Sequence, residues 1–317
     1  GLQMGSTATA TLGGTVNLSS GTLTTDGIIL GSSTNTVAST LTQTGGTLQV
    51  NGDVTINQPA ANTTTNTWNI GAQSATVTGN ISFAGTNTTA TRVGKIIITT
   101  GSLNANGGIS FSGTTAATKV IDMSTGGGTG TLNLKGAISG TSGATLTAGT
   151  AGSTFNYADN SGSQTVDMFG AGAYNILAIN TTGGSGATLG AAVTAANVTG
   201  NLSVQSGTLN NGAFAMTLAS AKNFAVANGA TFNLTGTSTM VTVSGGGVKT
   251  FGATSTVNYA GSAQAVTAES YGNLALSGSG NKTFAGATSI ANNLAISGTA
   301  IALLPNGSTS SALTLTL

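Results

Sequence analysis

The chain has 317 residues, of which 50 are glycine, only 4 % are charged, and none is cysteine or histidine. Seven basic and six acidic residues leave a formal charge of +1, and the basic ones (Arg92, Lys95, Lys119, Lys135, Lys222, Lys249, Lys282) are spread thinly along the chain, which leaves no basic patch for nucleic acid. No apolar run reaches the ~18 residues of a membrane helix, and disulfides, thiolate metal sites and Ser-His or Cys-His nucleophiles are excluded outright.

Disorder is the first reading of so much Gly, Ser, Thr and Asn. Disordered chains, however, carry high net charge and few β-branched residues. Here Val, Ile and Thr occur throughout and the mean hydropathy is +0.25, so an ordered fold is expected.

In chain order, a ten-residue phrase recurs: an apolar residue, a few polar ones, Gly, any residue, then apolar-polar-apolar. It occupies 23–30, 48–56, 77–83, 103–111 and 132–138, with its Gly at Gly27, Gly52, Gly79, Gly107 and Gly136, steps of 25, 27, 28 and 29 residues. "GDVTIN", "GNISFAG", "GGISFSG" and "GNLSVQ" alternate apolar and polar residues with the period of two that marks a strand. "NTWNIG", "GKIIITT", "TKVIDM" and "TFNLTG" fit a second strand per repeat, and no stretch carries helical periodicity with caps. The pairs Asn51-Gly52, Asn106-Gly107 and Asp26-Gly27 read as turn residues tolerant of positive φ. They raise a hairpin alternative, but hairpins do not explain a 25–29-residue step.

The period predicts an all-β fold, a parallel β-solenoid of about 12 rungs with 25–29 residues per rung and Val54, Ile81, Ile109 and Ile138 stacked inward. Loops such as "TGGGTG" (125–130) absorb the variation in length, and stacked Thr and Asn side chains are expected to hydrogen-bond along the rod. We expect one continuous solenoid over 1–317, with short-period rungs over 1–150 and rungs grouped in a repeat of about 100 residues over 151–317.

That longer repeat rests on "STFNYADNSGSQTVDMFGAGAYNILAI" from Ser153 and "STVNYAGSAQAVTAESYGNLAL" from Ser255. Tyr157 matches Tyr259, and Tyr174 matches Tyr271. The "NY…Q-V…Y-N-L" pattern resembles repeats of very large secreted bacterial surface proteins. The shorter phrase is similar to the β-solenoid stalks of filamentous-haemagglutinin-like adhesins and autotransporter passengers. The resemblance implies an extracellular, cell-surface, non-enzymatic rod for adhesion or matrix building, and it carries no catalytic residue.

The residues themselves point to no chemical site: catalytic, cofactor and metal residues are all expected to be none. Solenoid lyases and hydrolases need paired carboxylates on one face. The acids here are Asp26, Asp53, Asp122, Asp159, Asp167 and Glu269, and Asp26 and Asp53 fall at different positions of the phrase. Asp159 and Asp167 flank a loop that could take calcium with backbone carbonyls, without the repeat signature of such sites. Trp68 and the four tyrosines are candidate sugar platforms, or core fillers. The Thr-rich stretches at Thr7, Thr63 and Thr314 share no fixed phase, so an ice-binding lattice is not expected from them. The alternatives to the rod are therefore a carbohydrate-binding or carbohydrate-active solenoid and, behind it, an ice-binding one. Expected partners are the protein itself, through head-to-tail stacking or a longer chain, and glycans or host and matrix surfaces; no nucleic acid and no membrane insertion are expected. Neither terminus carries a polar cap, and the strand expected at 312–317 would pair with a further rung.

Overall fold

The computed structural model describes residues 9–12, 14–32, 34, 36–159, 161–182 and 186–304. The terminal strand expected at 312–317 lies outside them. The fold is a parallel β-solenoid of about ten turns, close to the expected dozen. Every pairing among the described strands is parallel, and the strands fall into two compact units, Gly1–Tyr157 with Asp167–Ile176, and Ala158–Val166 with Leu177–Leu317.

In the first unit each coil has three strands rather than the expected two. One coil, for instance, consists of Ile81–Ala84, Arg92–Ile98 and Ser102–Ala105. The first face stacks Thr9–Leu12, Gly27–Leu30, Val54–Asn57, Ile81–Ala84, Ile109–Phe111 and Ile138–Ser139. Its inward row runs Ile28, Val54, Ile81, Ile109, Ile138 in register, all buried, as the phrase predicts. The next inward row ends in Phe83 over Phe111, ring centroids 4.8 Å apart. The second face contributes Leu41, Trp68, Ile96, Ile121 and Leu146, and the third Leu23, Leu48, Ala75, Leu103, Leu132 and Phe155.

The Gly of the phrase stands at the corner between the third and first faces, for a reason other than turn conformation. Gly52, Gly79, Gly107 and Gly136 all have ordinary negative φ. What they allow is close approach of coils. A Cβ would lie 2.1 Å from the Asp26 carbonyl oxygen at Gly52, 2.2 Å from that of Gly79 at Gly107, and 2.4 Å from the Gly107 carbonyl carbon at Gly136. Positive φ occurs instead at glycines such as Gly21 and Gly46, which lead into the third face.

In the second unit one sheet stacks Ser163–Val166, Gly186–Leu189, Thr208–Asn210, Thr231–Leu234, Thr256–Tyr259, Asn273–Leu276 and Leu294–Ile296. A second pairs Leu177 with Leu202, Leu202 with Phe224 and Phe224 with Lys249. Between them the coil is held by isolated bridges, Val193 to Met216 and Thr217 to Thr242. With less strand to form, the step shortens to 22 or 23 residues between Gly186, Thr208 and Thr231, below the 25–29 expected.

Candidate functional site

Because the chain has so few charges, its outward faces show what holds them and what they can offer. The third face of the first unit presents two rows, one residue from each coil. Thr22, Thr47, Ser74, Ser102, Thr131 and Thr154 form the first; Thr24, Gln49, Thr76, Asn104, Asn133 and Asn156 form the second. Every member is a hydroxyl or a carboxamide. The amides of the second row bond along the stack: Asn156 Nδ2 donates to Asn133 Oδ1 (3.0 Å), Asn133 Nδ2 to Asn104 Oδ1 (2.8 Å), and Asn104 Nδ2 to Ser74 Oγ (3.0 Å). The second unit repeats the device with Thr208, Thr231 and Thr256 beside Asn210, Asn233 and Asn258; Asn233 Nδ2 donates to Asn210 Oδ1 at 2.8 Å. Hydrogen bonding along the stack is thus borne out for Asn, with the Thr hydroxyls of these rows entering only as acceptors from Asn at 3.4–3.5 Å. The fixed phase of a Thr-x-Asn row went unseen in the sequence, although "GSLN", "GTLN", "STFN", "ATFN" and "STVN" spell it.

Corners use side-chain oxygens as caps. Asp53 Oδ1 accepts the backbone N–H of Asn80 (2.7 Å), and Asn80 Oδ1 that of Gly108 (2.9 Å). In the second unit Asn201 caps Asn223 (2.9 Å) and Asn223 caps Val248 (3.0 Å). Asp53 is therefore a coil-to-coil cap. Asp159 accepts from the N–H and Oγ of Ser161 in its own turn (2.9 and 3.0 Å). Among the described residues no three Asp or Glu side chains gather as a metal site.

The aromatic candidates are interior. Trp68, Tyr157, Tyr174, Tyr259 and Tyr271 are each no more than 2 % exposed, so none can stack a sugar at the surface. The tyrosines form two copies of one device, which the 100-residue repeat foreshadowed without revealing the pairing. Tyr157 and Tyr174 oxygens lie 3.0 Å apart, and Tyr174 donates to the Asp167 carbonyl. Tyr259 and Tyr271 are likewise 3.0 Å apart, and Tyr271 donates to the Thr267 carbonyl at 2.7 Å. Burial pushes all four hydroxyls above their ordinary pKa.

The matching glutamine of each copy is buried as well. Gln164 Oε1 accepts from Asp159 N (3.0 Å) and Gln264 Oε1 from Gly261 N (2.9 Å). In the second copy Lys282 fills the turn: its ammonium donates to the carbonyls of Gly261 (2.8 Å) and Ser262 (2.5 Å) and to Gln264 Oε1 (2.8 Å). Lys119 is also fully buried, with Nζ on Thr118 Oγ1 at 3.0 Å. Burial lowers the pKa of both lysines.

Among the described residues two ion pairs join coils, Lys95 with Asp122 (2.7 Å) and Lys249 with Glu269 (2.5 Å). Burial alone would raise the Asp122 carboxyl, but bonds from Lys95, Ser124 and Thr125 outweigh it and bring the group down to about 2. Burial raises the Asp167 carboxyl.

Two open grooves stand out among the described residues. The larger, about 550 Å³, follows the glycine corner beside Asn80, Ser110, Gly107, Gly108 and Gly136. The smaller, about 330 Å³, is lined by Gln58, Pro59, Gly85, Thr86, Asn87 and Arg92. Compared with known proteins, the chain matches no family model, no curated protein and no solved structure.

Proposed function

We propose that this chain is a non-enzymatic structural segment of a bacterial extracellular or cell-surface fibre, serving adhesion or matrix building as a stiff rod. The observation that carries this reading is the coil-on-coil bonding. Parallel backbone ladders, in-register aliphatic rows and Asn ladders all run along the stacking direction and need no charge. The likeness of the repeats to adhesin and autotransporter stalks supports it. So do the exposed Ile296, Ile301, Leu303 and Leu304 of the last described coil, which a further coil of the same kind, in this chain or a second copy, would cover. Pulling the chain between its termini in a force spectrometer tests the proposal. Coils of 17–29 residues should release in steps, each adding about 55–100 Å of contour length at ~3.3–3.6 Å per residue. Featureless extension at negligible force would overturn it.

A second reading has one observation in its favour. The fixed-phase hydroxyl row from Thr22 to Thr154, at the ~4.8 Å strand spacing, is the kind of regular neutral surface that ordered water or ice requires. A difference between freezing and melting points in the presence of the protein, abolished by Thr131→Tyr, would establish it; unshaped, freely growing crystals would dismiss it.

A further inference from the structure

Most of the described charges are tied down by partners of their own. Lys95 and Lys249 are paired, Lys119 and Lys282 are buried against oxygens, and Asp53 and Asp159 bond backbone amides. Lys135 and Lys222 stand outside both grooves. Arg92, the only arginine in the chain, is different: it lines a groove, and no carboxylate pairs with it among the described residues.

The groove is built rather than incidental. Gln58, 4 % exposed, is its floor, and its carboxamide ties down the facing loop. Nε2 donates to the carbonyls of Asn87 (3.0 Å) and Arg92 (3.2 Å), while Oε1 accepts from Asn87 N (2.9 Å). Gly85, at φ 108°, lets the loop pass over that amide, since a Cβ there would stand 2.6 Å from Oε1. Thr89 N bonds Asn87 Oδ1 (2.8 Å) and Arg92 N bonds the Thr89 carbonyl (3.0 Å), which closes the loop on itself. The guanidinium is oriented as well: Nε donates to Asn62 Oδ1 at 2.9 Å, so one edge is fixed and the two terminal nitrogens remain to bind. A held guanidinium matches a carboxylate better than a lysine does, because its planar fork can give two parallel bonds.

We infer that this groove is a binding subsite for a carboxylate-bearing sugar unit, with Arg92 receiving the carboxylate and Thr86 and Asn87 facing the ring hydroxyls. Its volume of about 330 Å³ is at the small end for ligand sites and suits one ring. The cation selects an acidic unit over a neutral one, in a molecule whose other outward faces are almost uncharged. The inference stands apart from the rod's mechanical role: a groove that binds nothing would leave the force signature unchanged, and a compliant chain would leave the binding unchanged.

Titration of the full chain with glucuronic acid, with a glucuronate-containing oligosaccharide, with inorganic sulfate and with glucose tests it, read by calorimetry or by chemical-shift changes. Saturable binding of the glucuronates is expected, with none for glucose, and affinity falling as salt rises. Arg92→Gln should weaken it about tenfold or more, and Arg92→Lys should restore only part. Lys135→Gln should leave it intact. Thr86→Trp, at an exposed position, blocks the groove without touching its cation and guards against a folding defect in the arginine variant. Absence of saturable glucuronate binding, sulfate binding as tight as glucuronate, or equal losses from Arg92→Gln and Lys135→Gln would each overturn the assignment.

Discussion

The glycine corner makes a sharp prediction about Gly107→Ala. The new methyl would sit 2.2 Å from the Gly79 carbonyl oxygen, over 1 Å inside the shortest ordinary contact, and the obstacle is backbone that cannot rotate away. Relief requires the two coils to part locally, in a corner where Gly136 N reaches the Gly107 carbonyl at 3.2 Å and Gly79 N reaches that of Gly52 at 3.1 Å. Overpacking of this kind costs about 1–3 kcal/mol and occasionally more. At roughly 3 °C per kcal/mol for a unit of this size, the melting temperature should fall by about 3–9 °C. Gly14→Ala is the control: nothing lies within 4 Å of its Cβ position and its φ is not positive. Restricting the unfolded chain there should be neutral or stabilise by up to ~1 kcal/mol. Calorimetric scans of the two variants decide the matter. If both shift alike, close approach of coils is not why glycine stands at the corner.

Three further outcomes are expected. Ile109→Asp places a carboxylate at a 1 %-exposed position between Ile81 and Ile138 and should cost more than about 4 kcal/mol, whereas Ser110→Asp on the outward side should cost under ~1 kcal/mol; denaturant melts giving equal losses would refute the register. Asp122, held near 2, contributes stability that is complete above its unfolded value near 4 and is lost as pH falls through about 2. Lys95→Met should therefore move the acid-unfolding midpoint upward, and an unchanged midpoint would deny the pair its role. The buried tyrosines, raised above 10, keep protons that the unfolded chain gives up, so stability should fall as pH climbs past 10. The buried Lys119 and Lys282 act oppositely below 10.5, where the unfolded chain holds more protons. Alkaline melts followed by tyrosinate absorbance should show ionisation coincident with unfolding, and free titration of all four tyrosines in folded protein would contradict their burial.

The inward row was legible because it obeys two periods together, two within the strand and 25–29 between coils. Ile81 and Ile109 could be paired on paper for that reason. The third strand of each coil was not. Thr22–Thr25 and Gly27–Leu30 are separated by Asp26 alone and read as one alternating run. The Thr-x-Asn row was hidden by composition, because Thr and Asn are so common that their phase shows only once Asn104, Asn133 and Asn156 are known to share a register. Lys95 and Asp122 are 27 residues apart, a separation that means contact only after the coil length is fixed. The Arg92 groove depends on loops rather than repeats, and repeat grammar says nothing of Gln58 pinning Asn87.

Repetition itself accounts for the missing charge, and this can be tested. Copying one phrase from coil to coil places equivalent side chains at the ~4.8 Å strand spacing. Two like charges at that distance repel by about 1 kcal/mol in water and about 3–4 kcal/mol at an effective dielectric constant of 20, so a repeated acid or base would accumulate strain with every coil. Asn, Ser and Thr escape because each both donates and accepts, and each copy completes the one before, as Asn133 does between Asn104 and Asn156. Opposite signs on successive coils also succeed, which is the arrangement of Lys95 and Asp122. Asn104→Asp and Asn133→Asp supply the test. Either alone keeps an acceptor in the ladder and should cost about 1–2 kcal/mol through the lost donor. Together they set two carboxylates on adjacent coils in register, and the double variant should exceed the sum of the singles by about 1–3 kcal/mol at low salt. That excess should shrink as salt is added, because the row lies on a half-exposed face. Simple additivity at low ionic strength would mean that self-repulsion is not what keeps these ladders neutral.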